Sequence, residues 1–207
     1  MEQTELEQQK ELEIRLIYIF GNVNEWLKFA EAKNAGLFAF AGAAVFGLLS
    51  FKTSSANLYD AWKAGINISV VFLLGAAAVS LCSFFPQTVR ARTKSSQQKR
   101  LLRYIRRTRV LLKNKRYRSD RNNLLFYVEL GRYNARRLIC AVGRKYVGCE
   151  QEIALASKFH LDLANQIVIN SRISTRKNYL FKVAVVLTFS SLVALSVVAL
   201  VYSSLGF

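Results

Sequence analysis

Apolar and polar positions in this chain are sorted into blocks rather than mixed. Residues 2–13 are rich in Glu and Gln and read as a polar, fraying helix. From Ile14 onward the apolar positions Ile17, Phe20, Val23, Leu27 and Ala30 recur at helical spacing, with Asn24, Glu25, Lys28 and Glu31 elsewhere on the wheel. The pattern predicts a cytoplasmic or interfacial amphipathic helix over residues 1–33, with Trp26 as an amphipathic ring at a membrane boundary. A short soluble core helix is the competing reading. A first transmembrane helix is expected over residues 34–51, of which 35–51 carry no charge. That is short against the roughly 20 residues a span needs, but Lys33 and Lys52 can snorkel outward. A polar loop follows, with Tyr59 and Trp62 as interface anchors. The second transmembrane helix falls over residues 64–86 and stops at Pro86, which cannot donate a backbone hydrogen bond. Asn67, the amide inside it, reads as interfacial. The third falls over residues 179–203.

Between the second and third apolar runs, residues 87–178 return to a mixed pattern that predicts three helical pieces. The first covers about 96–115. The second begins near Asn122 and carries Leu124, Leu125, Tyr127, Val128 and Leu130, with Gly143 and Gly148 marking a turn. The third begins near Glu150 and places Ile153, Ala156, His160, Leu163, Ile167 and Asn170 at alternating three- and four-residue steps, the spacing of a coiled-coil seam. No Pro or Gly lies between residues 150 and 204, so this helix is expected to continue unbroken into the third span. The fold class is therefore an all-α membrane protein: three transmembrane helices, with a basic cytoplasmic helical domain between the second and third.

Charge sets the orientation. The net formal charge is +17, and residues 87–182 hold 24 of the 30 Lys and Arg residues but only five of the 13 acids. Basic residues flanking membrane spans stay on the cytoplasmic side, which puts the N-terminus inside and the C-terminus outside. The run of arginines over 100–118 admits three readings: nucleic acid, anionic lipid, or an anionic small ligand held by Arg forks. With the bilayer adjacent, contact with an anionic inner leaflet is favoured over nucleic acid. The three cysteines, Cys82, Cys140 and Cys149, have no framework spacing and read as reduced thiols. Residues 1–13 lack a positive segment followed by an apolar core and so do not read as a signal peptide.

The residues that chemistry needs are scarce. His160 is the one histidine, with no carboxylate or thiol supplied locally, and reads as a packed residue. Cys140, Cys149 and His160 do not have the spacing of a zinc site. Phosphate-loop, dinucleotide and metalloprotease motifs are all missing. No enzyme activity, metal or cofactor is expected. Ala35, Ala39, Ala43 and Gly47 recur every fourth position, a small-residue face that lets helices approach closely in lipid, either within one chain or between copies. A homo-oligomer follows from the second option.

Four stretches, taken together and in order, carry a resemblance. They are Asn24-Glu25-Trp26-Leu27-Lys28-Phe29-Ala30-Glu31-Ala32-Lys33-Asn34 leading into the first span, and Ser83-Phe84-Phe85-Pro86 closing the second. Asn122-Asn123-Leu124-Leu125-Phe126-Tyr127 comes next, then residues 163–177 with Gln166, Asn170, Ser171 and Lys177. The chain resembles the transmembrane effectors of Pycsar anti-phage systems, and departs from them in a longer, more basic segment over 90–121. The resemblance implies a bacterial inner-membrane protein paired with a nucleotide cyclase. Its activator would be cyclic UMP or cyclic CMP, and activation would damage the membrane and arrest the infected cell.

A cyclic pyrimidine mononucleotide needs a cation for its phosphate and an amide edge or aromatic face for its base. Asn123, Tyr127, Arg132 and Arg136 offer these from one helical region, although a solvated face plus a core aromatic explains the same residue types. Trp26, Glu31, Lys33 and Lys177 cluster at the mouths of the spans, as interface anchors or as a gate. Two other functions fit the same block pattern: a membrane-tethered nucleic-acid-binding or scaffold protein, and a constitutive holin-like toxin.

Overall fold

A computed structural model of the chain describes residues 2–55, 59–85, 123–148 and 156–204. The expected helix at 96–115, the arginine run, Pro86, Cys149 and the start of the third helical piece near Glu150 lie outside the described residues. Residues 1–85 and 124–207 form one compact unit, and residues 86–123 form a second. Among the described residues all regular structure is helical.

Three elements dominate: α1 (Glu2–Ser54), α2 (Asp60–Cys82) and, at the C-terminal end, a third long helix, Lys158–Ser204. Between the last two lie α3 (Tyr127–Leu130), α4 (Ala135–Val142) and a π-helical turn, Gly143–Val147, so the Lys158–Ser204 helix is α5. Each of α1, α2 and α5 is long and apolar enough to cross a membrane. At 1.5 Å per residue α1 and α5 are about 80 and 70 Å long, so each is long enough to cross a core of about 30 Å and leave about 50 and 40 Å outside it. The amphipathic segment and first span expected from sequence are thus one uninterrupted helix. The expected continuous run into the third span is present as the 47-residue α5, although it begins at Lys158, so Ala156 precedes the helix instead of lying on its seam.

Cross-helix contacts fix the directions. Asn170 Nδ2 donates to Asn24 Oδ1 at 2.9 Å, and Asn34 Nδ2 to the Lys177 carbonyl at 3.3 Å, so α1 and α5 run parallel. Ser69 Oγ donates to the Ser191 carbonyl at 3.0 Å and Lys52 Nζ to Asn67 Oδ1 at 2.7 Å, which sets α2 antiparallel to both. The lysine bond accounts for Asn67 on the span: its amide is partnered at the end of the helix pair.

Two cores result. One joins the N-terminal half of α1 to the start of α5 and to α4, through Leu12, Leu16, Ile19, Val23, Leu138, Ile139, Ala164 and Ile167. The other lies among the spans, at Ala41, Leu73, Ala76 and Ala184. The buried stripe on α1 keeps Val23 and Ala30 of the expected set but differs at its start: Leu16 and Ile19 are enclosed, while Ile17 is 49% exposed. The second helical piece is also broken. Backbone turns separate α3 from α4, and Asn134 caps α4 by accepting from the Arg137 N–H at 2.8 Å. Gly143 opens the π-helical turn, and Gly148 caps its end with a φ of 74°, which suits glycine. Arg172 of α5 then ties this segment down, Nε to the Gly131 carbonyl at 2.9 Å and Nη2 to the Tyr133 carbonyl at 3.0 Å.

Candidate functional site

The residues at one mouth of the spans converge from all three long helices. Lys177 of α5 is nearly enclosed and reaches Glu31 Oε1 of α1 at 3.0 Å; the lysine side chain is 10% exposed, the glutamate side chain 47%. Its ammonium also stands 5.6 Å from the centre of the Phe84 ring, just past the end of α2. One turn on from Glu31, Asn34 is fully buried and donates to the Ala30 and Lys177 carbonyls. Its Oδ1 has no hydrogen-bond partner among the described residues. Lys33 takes a different course: its ammonium lies over two rings, 5.1 Å from Phe29 and 4.7 Å from Phe181. Glu31 and Lys33, two positions apart on α1, therefore both hold α1 to α5, the first through the Lys177 ammonium and the second through the Phe181 ring. Either would be lost if the helices slid past each other by one turn.

Trp26 sits further from the spans and packs on Phe126 and Tyr127, with ring centres 6.3 and 5.5 Å away. Burial raises the Tyr127 phenol above its ordinary pKa, so it stays protonated. At the opposite mouth Tyr59 and Trp62 pack on Tyr202, at 5.3 and 6.2 Å. Aromatic rings thus stand beyond both ends of the apolar segments, where amphipathic rings favour a membrane boundary.

The four residues expected to hold a nucleotide have distinct surroundings. Tyr127 turns to Trp26. Arg132 makes a two-pronged contact with Glu129, at 2.7 and 2.9 Å. Arg136 is exposed beside a shallow depression lined also by Ile139, Ala156 and Leu161. Asn123 is exposed and belongs to the second compact unit. Ala35, Ala39, Ala43 and Gly47 are all exposed, on the side of α1 turned away from Asn34, Leu37, Ala41 and Leu48, which pack inward. A methyl group added at Gly36, Gly42 or Gly47 would meet nothing within 4 Å. The free small-residue face is therefore wider than the four positions first noted.

His160 is buried near the start of α5, where its Nδ1 accepts from the Ser157 N–H at 3.1 Å. That is a capping box with histidine in place of Glu or Gln. No group of three or more His, Cys, Asp or Glu suited to a metal ion is found among the described residues. Sequence reading passed over Asn34, Phe84 and Arg172. Asn34 carried a signal, an amide at the threshold of an uncharged apolar run; Arg172 did not, because its partners are backbone carbonyls some 40 positions away.

Three membrane-length helices held at one mouth by an ion pair and a buried amide define an all-helical membrane protein. The Pycsar effector protein domain matches residues 15–203, and the chain belongs to that family. It is thus an anti-phage defence effector, of a family paired with a cyclase and a cyclic-nucleotide signal and not known for enzymatic activity. No curated protein and no solved structure matches the chain.

Proposed function

We propose that the chain is an inner-membrane effector that senses cyclic UMP or cyclic CMP and then breaches the membrane, causing abortive infection. Its N-terminus and the basic segment lie in the cytoplasm, against anionic lipid, and its C-terminus lies outside. The observation that carries this reading is α5. It begins in the core outside the spans, receives the Arg172 clamp, supplies Lys177 at the mouth and ends beyond the bilayer without a break. A ligand that binds one arrangement of the α3–α4 segment better than another biases α5 by its differential affinity, and a continuous helix carries that bias to the spans. Tyr127, Arg132, Arg136 and Asn123 are the proposed nucleotide contacts. Ligand binding would release Arg132 from Glu129, an exposed pairing worth only about 0.2–1 kcal/mol.

The Glu31–Lys177 pair is the proposed latch of the closed state, and Trp26 and Lys33 are its interface anchors. The exposed face with Ala35, Ala39, Ala43 and Gly47 is the proposed contact between copies in a homo-oligomer, since close backbone approach is what drives association in lipid. The test is titration of the purified full chain with cyclic UMP, cyclic CMP and cyclic AMP, followed by thermal unfolding. A rise in Tm with a pyrimidine nucleotide and none with cyclic AMP is expected. No shift with either pyrimidine nucleotide at millimolar concentration would overturn the ligand assignment.

A further inference from the structure

The spans bury an ordered sequence of polar and apolar residues on their inward sides. At the Lys177 mouth the enclosed groups are Asn34, Ser80 and Ser83, with Lys177 itself. Toward the other mouth they are Ser69, Thr188 and Ser191, with the apolar Ile66 enclosed one turn beyond Ser69. Between them lies one apolar layer, Ala41, Leu73, Ala76 and Ala184. The order polar, apolar, polar repeats on α2 (Ser83 and Ser80, then Ala76 and Leu73, then Ser69) and on α5 (Lys177, then Ala184, then Thr188 and Ser191). Asn34 and Ala41 on α1 keep step with the first two layers. From Lys177 to Ser191 is about 21 Å along α5. The outward sides are mostly apolar, with Ile68, Val71 and Leu74 on α2 and Val186, Phe189 and Val193 on α5 exposed, and the serines there, Ser190 and Ser196, bond back to their own helix.

Only some of these inward polar groups act as helix glue, Asn34 and Ser69 among them. Ser69 bonds across to α5 and Thr188 bonds back to its own helix, to the Ala184 carbonyl at 3.0 Å. Ser80, Ser83 and Ser191 hydroxyls and Asn34 Oδ1 have no partner among the described residues. Each buried, unpaired polar group costs about 1–3 kcal/mol, and alanine at the serines would pack without that cost. A seam this polar, closed by the apolar layer at Leu73 and narrowed again by Ile66, has the layout of a conduit gated by dewetting.

We propose that this seam, inside each chain, is the route by which water and small monovalent ions cross the membrane, and that Leu73 with Ala41, Ala76 and Ala184 is its closed gate. Separation of the helices by a few ångströms at this layer joins the two polar segments and satisfies the orphaned hydroxyls with water. The proposal deepens the membrane-breaching reading and rests on it for its meaning in the cell.

The test uses the full chain in liposomes loaded with potassium chloride and a pH dye, with no nucleotide present. Leu73→Ser is expected to release potassium and protons about tenfold faster than the unaltered chain. Leu74→Ser, one residue on and 53% exposed, is expected to stay tight. Tight Leu73→Ser vesicles, or Leu74→Ser vesicles that leak equally, overturn the proposal. If Leu73→Ser does not insert, the double variant Ala76→Ser with Ala184→Ser adds only one oxygen to each side chain; it leaks if the proposal holds, and a tight result overturns it. Because no nucleotide is used, these results stand apart from the ligand assignment. An unaltered chain indifferent to cyclic UMP and cyclic CMP counts against that assignment alone.

Discussion

Removing either partner of the Glu31–Lys177 pair gives unequal effects, because the two groups are unequally enclosed. Glu31→Ala leaves an ammonium whose side chain is 10% exposed without its carboxylate. Breaking a fully buried pair costs about 3–5 kcal/mol, and exposed pairs are worth about 1 kcal/mol or less. With Glu31 47% exposed and the Phe84 ring still facing the ammonium, the expected loss is between these limits, about 2 kcal/mol. Lys177→Met instead leaves a carboxylate that already reaches water and replaces the lysine stem with an apolar one, so its expected cost is under about 1 kcal/mol. For a chain of this size 2 kcal/mol lowers Tm by about 4–8 °C. Thermal unfolding of both variants and of the double variant in one detergent gives the comparison. In cells, Glu31→Ala is expected to slow growth without any cyclase, since the closed state loses its latch, and Lys177→Met to do so less. Equal Tm losses from the two single variants would refute the argument from unequal enclosure, and a double variant whose loss is the simple sum would mean that the two charges do not interact.

Two further substitutions probe the helix contacts. A methyl group on Gly65 would sit 2.6 Å from Val198 Cγ2, so Gly65→Ala should cost about 1–3 kcal/mol by overpacking, and Val198→Ala in the same chain should recover most of the loss in a thermal melt. Arg172→Met removes both bonds to the Gly131 and Tyr133 carbonyls; the amides of residues 127–134 are then expected to exchange faster with deuterium while those of α2 do not change.

The block pattern made the three long helices legible, because an uncharged run of about 20 residues has few other fates. The uninterrupted α5 was legible for a related reason: residues 150–204 contain neither of the two residues that break helices. The finer face of α1 was not. Apolar residues are spread around residues 14–30, so periodicity alone did not choose Leu16 and Ile19 over Ile17; the choice is made by α4 and α5 packing on one side. The break between α3 and α4 was likewise hidden, since a single glycine at Gly131 does not by itself end a helix and the turn is held by Arg172 from a distant part of the chain. At the mouth, Glu31 and Lys177 were separately visible as charges beside spans, but their meeting depends on the parallel register of α1 and α5. Asn34, which seals that register, was readable as an amide entering an apolar run yet gained its role only from the Lys177 carbonyl. The inward serines could not be told from ordinary span residues until the structure showed which side of α2 and α5 each occupies.

The central claim is that α5 transmits a nucleotide signal into the spans. A Gly-Ser pair inserted after Ser174 interrupts the helix between the Arg172 clamp and Lys177. The measurement is dye and potassium release from liposomes holding the unaltered or the inserted chain, on addition of cyclic UMP or cyclic CMP, with binding checked by thermal shift on the same samples. The unaltered chain should bind and leak, and the inserted chain should bind and stay tight. Leakage from the inserted chain equal to that of the unaltered one would show that the signal does not travel along α5.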